Sequence, residues 1–295
     1  MSNKLIRGIT TDGNFRFFLI DSTNMVENAR KIHSTTPVSS AALGRTLTAA
    51  SLLGSMDKDE KIKITLQIKG SNLIKTILAV SSSIGDVKGY ISNPNVDIDL
   101  NNEGKLAVGE AIGKDGKLIL IRDLGLKEPY IGQSSLVSGE IAEDLASYFL
   151  NSEQQPSVVS LGVFVDKDLS IKSAGGFIVQ PMPNTPEQSI IDLEYNVIKL
   201  DPISKLIADN KSSTEILNEL FDGFEYKILE EKEVNYKCDC SREKMEKGLL
   251  SLGKKEIKEM IDEDGKAELS CHFCNHKYNF NLEELRKLYD EAMKY

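Results

Sequence analysis

Four cysteines near the C-terminal end carry the clearest chemistry in the chain. They form two close pairs, Cys238-Asp239-Cys240 and Cys271-His272-Phe273-Cys274, separated by 30 residues. Cysteine thiolates are soft ligands that suit tetrahedral zinc, and two close pairs indicate such a site far more specifically than one pair does. The Cys-x-Cys spacing and the long intervening span differ from those of common zinc fingers. The sequence therefore predicts a zinc site with four thiolate ligands.

The spacing leaves the role of this zinc site open between a purely structural one and a redox one. His272 and His276 are alternative ligands, but four cysteines already fill a tetrahedral site. A metal held by four thiolates keeps no open position for water or substrate, so metal-assisted hydrolysis is not predicted. His33, alone near a helix end, is predicted to be structural or solvent-facing.

Motifs of the common enzyme classes do not occur in the sequence, and the chain is not predicted to be an enzyme. There is no Gly-x-Ser-x-Gly elbow, no Gly-x-x-x-x-Gly-Lys-Ser/Thr phosphate loop and no His-Glu-x-x-His. A thiol-disulfide oxidoreductase using Cys271 and Cys274 is an alternative. That pair lacks a thioredoxin-like βαβ setting, however, and has two further cysteines as zinc partners.

The charge balance argues against a nucleic-acid-binding protein. The chain has 36 Lys and Arg against 45 Asp and Glu, and residues 232–295 carry 13 against 14. A zinc module that tethers an enzyme or a nucleic-acid factor is a further alternative, but this balance gives nucleic acid no general attraction. The N-terminus lacks the apolar core of a signal peptide, and the longest apolar stretch, 38–56, contains Arg45. We expect a cytoplasmic protein that does not enter a membrane.

The elements that position the cysteines are predicted from periodicity and turn residues. Asp12-Gly13 joins two extended runs in a hairpin, a helix starts near Ser22, and a second helix follows Pro37. Alternating residues from Lys61 predict a strand with one buried face. Further strands are predicted at 77–80, 87–91, 117–121 and 161–165, with a helix at 139–150 capped by Ser138. Strands outnumber helices, which predicts an α+β fold.

Three parts of the chain are predicted from composition. A segment with three prolines, Gln180 to Pro186, separates a large N-terminal α+β domain, residues 1–180, from a small helical, charged linker region, residues 181–231. Residues 232–295 form the C-terminal zinc-binding domain. Two short helices are predicted to bridge the cysteine pairs, and a third follows Asn281. The zinc is expected to be the main core of this domain.

Six stretches of the chain, two of which contain the cysteine pairs, resemble the redox-regulated thirty-three-kilodalton heat-shock chaperone family. The resemblance covers nearly the whole chain. The similar stretches are Cys238 to Glu243, Leu249 to Gly253, Cys271 to Asn275, Ala41 to Arg45, Ile121 to Gly125 and Val137 to Leu145.

The resemblance implies an ATP-independent holdase that binds unfolded client proteins. It implies one zinc per chain on Cys238, Cys240, Cys271 and Cys274 in the reduced, weakly active state. Oxidation by peroxide or hypochlorite would activate the chaperone, release the zinc and favour a homodimer. Cysteines two or three residues apart can reach disulfide distance, so Cys238–Cys240 and Cys271–Cys274 can each close locally.

Oxidation is predicted to unfold the cysteine module, because two local disulfides do not replace a cross-link between the two cysteine pairs. Residues 182–231 would then lose a docking partner and become mobile, while residues 1–178 stay folded.

Overall fold

A computed structural model describes residues 3–57, 59 and 61–292 of the chain. Two compact units meet at the bond between Lys237 and Cys238. The structure is a mixture of helices and mainly antiparallel strands, which confirms the α+β prediction. The predicted division at residues 180 and 231 stays a prediction. No helix in the described part of the chain is long and apolar enough to cross a membrane.

The first unit contains ten strands and seven helices among its described residues. In chain order they are β1 (Lys4–Thr10), β2 (Phe15–Asp21), α1 (Thr23–His33), α2 (Pro37–Gly54), β3 (Lys63–Lys69), β4 (Thr76–Ser82), β5 (Val87–Ile91), α3 (Val108–Ile112), β6 (Lys117–Asp123), β7 (Tyr130–Ser135), α4 (Ala142–Ser152), β8 (Val158–Val165), β9 (Ile171–Pro181), α5 (Glu187–Lys199), α6 (Ile203–Ala208), α7 (Ser213–Leu220) and β10 (Tyr226–Glu233).

Two five-stranded antiparallel sheets form the framework of this unit. The first has the strand order β10-β1-β2-β9-β8, and the second has the order β5-β4-β3-β6-β7. Helix α2 packs against strands of both sheets, and the main apolar cluster draws on both sheets and on α1, α2 and α4. All of α2 is buried except Pro37 and Arg45, so the helix predicted after Pro37 lies inside the protein. The hydroxyl groups of Thr46 and Thr48 on α2 donate to carbonyl oxygens one turn back, and those of Ser39 and Ser51 donate to carbonyl oxygens outside the helix, so their burial leaves them satisfied.

A second apolar cluster docks helices α5, α6 and α7 on the first sheet. Phe15, Phe17 and Phe177 supply the sheet side, and Leu217 and Phe221 are among the fully covered residues that close it. The predicted linker helices therefore exist, and Leu193, Leu206 and Leu217 are among their side chains buried on the first sheet, whereas Ile191, Tyr195 and Ile198 are exposed. That the cysteine module also docks on these helices stays a prediction.

Two local predictions differ from the structure. Helix α4 begins at Ala142, not at Gly139, and Ser138 does not cap it. The buried carboxylate of Asp144 instead accepts hydrogen bonds from backbone N–H groups of the preceding loop. The charged run at the end of the predicted linker forms β10, which pairs antiparallel with β1. Ion pairs of Lys4 with Glu231 and of Arg7 with Glu230 explain how a charged sequence forms this edge strand.

The second unit is a small module of three helices and one hairpin in its described part. Its elements are α8 (Arg242–Leu252), α9 (Lys254–Glu263), β11 (Ala267–Ser270), β12 (Lys277–Phe280) and α10 (Leu282–Ala292). Leu249, Phe280, Leu285 and Leu288 form its buried apolar cluster. The helices between the cysteine pairs and the C-terminal helix are as predicted. The module therefore has an apolar core of its own in addition to any metal.

Candidate metal centre

The four cysteines are placed by the start of one helix and the turn of one hairpin. Cys238 and Cys240 lie just before α8, whose N-cap Ser241 accepts a hydrogen bond from the N–H of Lys244. Cys271 and Cys274 lie in the turn that joins β11 to β12. The N–H of Cys271 donates to the carbonyl of His276 at 3.0 Å, and Asn275 holds a φ of 56° that completes the tight turn.

The sulfur atoms of the two cysteine pairs form one cluster. The four Sγ atoms all lie within 4.8 Å of one another. Across the pairs, the Sγ of Cys238 is 3.6 Å from that of Cys271, and the Sγ of Cys240 is 3.4 Å from that of Cys274. Zinc–sulfur bonds of about 2.3 Å in a tetrahedron place sulfur atoms about 3.8 Å apart. The donor set and its spacing therefore fit a tetrahedral metal ion with soft ligands.

Hydrogen-bond donors surround three of the four sulfur atoms. The backbone N–H of Cys240 donates to the sulfur of Cys238, and that of His276 donates to the sulfur of Cys274. The hydroxyl of Tyr278 donates to the sulfur of Cys240 at 3.2 Å. Such donors stabilise the thiolate form, which is the form that binds a metal.

The surroundings of the thiols shift their pKa values in different directions. Burial raises the pKa of Cys238 and of Cys274. Burial also disfavours ionisation of Cys240, but the hydroxyl of Tyr278 and the neighbouring sulfur atoms outweigh it and lower the pKa of this thiol. The same hydrogen bond to Cys240 raises the pKa of Tyr278 to about 12, so its hydroxyl keeps its proton at neutral pH.

The cation beside the cysteines is one that the sequence reasoning missed. The sequence places Lys237 and Arg242 beside Cys238 and Cys240, where basic groups would keep the thiolates reactive. In the structure Lys237 pairs with Asp86, and the guanidinium of Arg242 pairs with Glu284. Lys244 is held by hydrogen bonding to Asp239, and the charges of Cys238 and Cys240 add to the raised pKa of its ammonium group. Its position in the first turn of α8, close to Cys240 in sequence, is the feature from which the sequence could have predicted this cation.

The three histidines have other surroundings in the structure. Among the described residues, the candidate metal cluster consists of the four cysteines and contains no histidine. The ring of His276 packs edge-on against Tyr278, with 4.6 Å between ring centroids. In the first unit, Nε2 of His33 lies 3.0 Å from the carbonyl oxygen of Gly89 and 3.2 Å from the hydroxyl of Tyr236. His33 thus ties the end of α1 to β5.

Comparison with known proteins gives one consistent family. The sequence profile described as Hsp33 protein matches residues 3–281. The 33 kDa chaperonin of Alkaliphilus metalliredigens is 50% identical over 291 residues, which cover 99% of this chain and 100% of the relative. The 33 kDa chaperonin of Clostridium perfringens is 51% identical over 295 residues, which cover 100% of this chain and 92% of the relative.

A solved structure shares the whole fold. The crystal structure of the 33 kDa chaperonin from Thermotoga maritima, described as a heat shock protein 33 homolog, superposes with a TM-score of 0.92. It is 41% identical in sequence, and the match covers 100% of both chains.

Proposed function

The chain belongs to the Hsp33 protein family, a family of chaperones, and from this we propose that it is an ATP-independent holdase regulated by oxidation. It binds unfolded proteins and prevents their aggregation under oxidative stress. The observation that carries the regulatory part is the cluster of four sulfur atoms within 4.8 Å, since such a cluster both binds a metal and reacts with oxidants.

Zinc is the metal that this donor set would hold, as one ion per chain on Cys238, Cys240, Cys271 and Cys274. Four sulfur ligands without oxygen ligands select zinc over magnesium, calcium or manganese. Bound zinc supplies a cross-link between the segment before α8 and the β11–β12 turn, and that cross-link contributes to folding stability. The chain's own residues fix the sulfur positions through the α8 N-cap and the hairpin turn.

Oxidation consumes the ligands. A thiolate attacks one oxygen of a peroxide to give a sulfenic acid and hydroxide, and a second thiolate then displaces the sulfenic oxygen as hydroxide to form a disulfide. The disulfides proposed are Cys238–Cys240 and Cys271–Cys274, and four consumed thiolates leave the metal without ligands. Each disulfide closes within its own segment, so the connection between the two segments is lost.

The partners follow from the same proposal. Unfolded or partly folded client proteins are the ligands, and the oxidised chain forms a homodimer. With 45 acidic against 36 basic residues, the chain has no general attraction for nucleic acid. The reactive thiols suit the reducing cytoplasm, where they remain free until an oxidant appears.

Light scattering from a chemically unfolded test protein examines the proposal directly. The chain is added reduced and zinc-loaded, or after peroxide treatment at raised temperature, with a peroxide-treated inert protein as control. We expect strong suppression of aggregation by the oxidised chain and weak suppression by the reduced chain. Equal suppression of aggregation in both states would contradict regulation by oxidation. No suppression in either state would contradict the chaperone function.

A further inference from the structure

The hydroxyl of Tyr278 donates to a candidate zinc ligand, at 3.2 Å from the Sγ of Cys240. Its ring is held from two sides. Tyr278 lies on β12 opposite Leu269 of β11, and the ring of His276 packs against it at an interplanar angle of 74°. A hydroxyl on a stiff aromatic ring, fixed by a hairpin and a neighbouring ring, keeps its direction toward the sulfur.

The same hydroxyl lies on the open side of the sulfur cluster. A shallow depression there is lined by Cys238, Cys240 and Cys274 together with Asn275, His276 and Tyr278. Cys271 is 5% exposed and does not line it. A small oxidant from solvent therefore reaches the sulfur atoms through this depression, where Tyr278 stands beside Cys240.

We propose that Tyr278 is a positioning residue that sets how readily the cysteine module is oxidised. Its O–H···S hydrogen bond withdraws electron density from the Cys240 thiolate, which lowers the nucleophilicity of this sulfur and stabilises it as a metal ligand. Attack on peroxide gives Cys240 sulfenic acid and hydroxide, and the Cys238 thiolate then closes the disulfide with loss of a second hydroxide. The hydrogen bond slows the first of these steps. This inference rests on the proposed function.

Tyr278→Phe removes the hydroxyl and keeps the ring, so the packing against His276 and β11 is retained. Tyr289→Phe is the matched control, because it removes a hydroxyl from α10 of the same module, outside the described lining of the sulfur depression. We expect Tyr278→Phe to bind zinc about tenfold more weakly in competition with a chelating dye, in line with the loss of other outer partners of metal ligands. Zinc release by peroxide should be several-fold faster, and the control should behave as the unchanged protein does.

Two further readouts separate positioning from simple loss of structure. The sulfur-to-metal charge-transfer band of the cobalt-substituted protein should shift in Tyr278→Phe and stay unchanged in Tyr289→Phe. His276→Leu, which removes the ring that braces Tyr278 and keeps the backbone N–H to Cys274, should accelerate zinc release by a smaller factor. Unchanged rates of zinc release in Tyr278→Phe and His276→Leu, together with an unchanged cobalt band in Tyr278→Phe, would overturn the inference and leave the proposed function standing. Failure of the unchanged protein to bind zinc or cobalt would instead overturn the proposed function.

Discussion

Two segments that lie 30 residues apart each contribute two sulfur atoms to one cluster, so every cysteine counts equally toward a tetrahedral site. We predict one zinc per chain in the reduced protein and none after all four thiols are oxidised. Cys271→Ser replaces a soft thiolate with a hydroxyl that stays protonated, and it should lower zinc affinity by orders of magnitude. Native mass spectrometry with elemental analysis measures this, and Ser270→Ala next to it is the control. A folded, reduced and metal-free protein would contradict the site itself.

Glu27 gives a prediction for the dependence of stability on pH. Its carboxylate accepts hydrogen bonds from Arg30, on the same helix, and from the N–H of Ile171 at the start of β9. The Arg30 guanidinium is the main cause that lowers the pKa of Glu27 from 4.5 to about 2. A lowered pKa in the folded state stabilises the protein above pH 4.5, and this stabilisation is lost as the pH falls from about 4.5 to about 2.

Glu27→Gln should therefore cost about 1 kcal/mol of unfolding free energy at pH 7, after allowance for solvent screening of a partly exposed pair. The difference from the unchanged protein should shrink toward zero near pH 2. Urea denaturation at pH 7, 4 and 2.5 measures it. Glu103→Gln removes one partner of the exposed pair with Lys105 and serves as the control. A penalty that stays the same at all three pH values would refute the linkage.

The sequence revealed the candidate ligands of the proposed metal centre but not the residues that surround them. Thiol groups at short spacing identify themselves by type, and the structure brings all four together. Tyr278 and Lys244 influence the sulfur atoms because their polar groups lie close to them. That placement depends on the β11–β12 hairpin for Tyr278 and on the first turn of α8 for Lys244. Lys237 and Arg242 are close to Cys238 and Cys240 in sequence, yet carboxylates elsewhere in their own units hold their charges.

At the scale of single elements, the start of α4 depends on one buried carboxylate. Oδ1 of Asp144 accepts N–H groups of Val137 at 2.7 Å and Ser138 at 3.0 Å, and Oδ2 accepts that of Ile141 at 2.8 Å. Asp144 is 0% exposed, and Ile141 has a φ of 71°, a strained value for a β-branched residue. The carboxylate therefore holds a loop that the backbone alone does not favour.

Asp144→Asn replaces one acceptor oxygen with an NH₂ group that faces backbone donors. We predict a loss of about 2 to 3 kcal/mol in unfolding free energy, because buried N–H groups are left without an acceptor. Chemical denaturation measures the loss, and Glu143→Gln, in the same first turn of the helix, is the control. A change below about 0.5 kcal/mol would show that the loop holds its shape without the carboxylate.

Elements with a regular apolar pattern were predicted well, and those shaped by tertiary contacts were not. The Asp12-Gly13 hairpin, α1, α2 and β3 to β6 follow from local sequence, because turn residues and alternating burial mark them directly. Strand β10 has a charged sequence without alternating apolar residues, so only its pairing with β1 identifies it. Strand β9 runs from Ile171 to Pro181 through two glycines and is buried on both faces, which hides any alternation.

For the whole molecule, stability is distributed unequally between the two units. The first unit has two sheets and two extensive apolar clusters, and the helices α5 to α7 are part of it. The second unit has four buried residues in its apolar cluster, so a metal cross-link matters far more there. That zinc is the main core of the cysteine module stays a prediction beside this small apolar cluster. Apolar periodicity shows which face of a helix is buried but not the surface that covers it, so the sequence did not reveal that α5 to α7 pack on the first sheet.

The last prediction concerns what oxidation unfolds. A zinc ion on four thiolates contributes roughly 10 to 16 kcal/mol in small zinc modules. Two disulfides that close loops of three or four residues restore only about 3 kcal/mol, and neither joins the segment before α8 to the β11–β12 turn. The second unit should therefore lose its fold when its four thiols are oxidised.

Limited trypsin digestion of the reduced and the oxidised chain, followed by mass spectrometry, tests this at the level of single bonds. We expect new early cuts after Lys247, Lys258 and Lys266 in the oxidised chain, while residues 3–178 stay protected. Cuts after residue 182 should follow more slowly, because α5 to α7 lose protection only when they leave the first sheet, where Leu217 and Phe221 hold them. Zinc-loaded protein kept with a reductant is the control. Full protection of residues 238–292 after measured zinc loss would exclude this mechanism, even in a chain that suppresses aggregation.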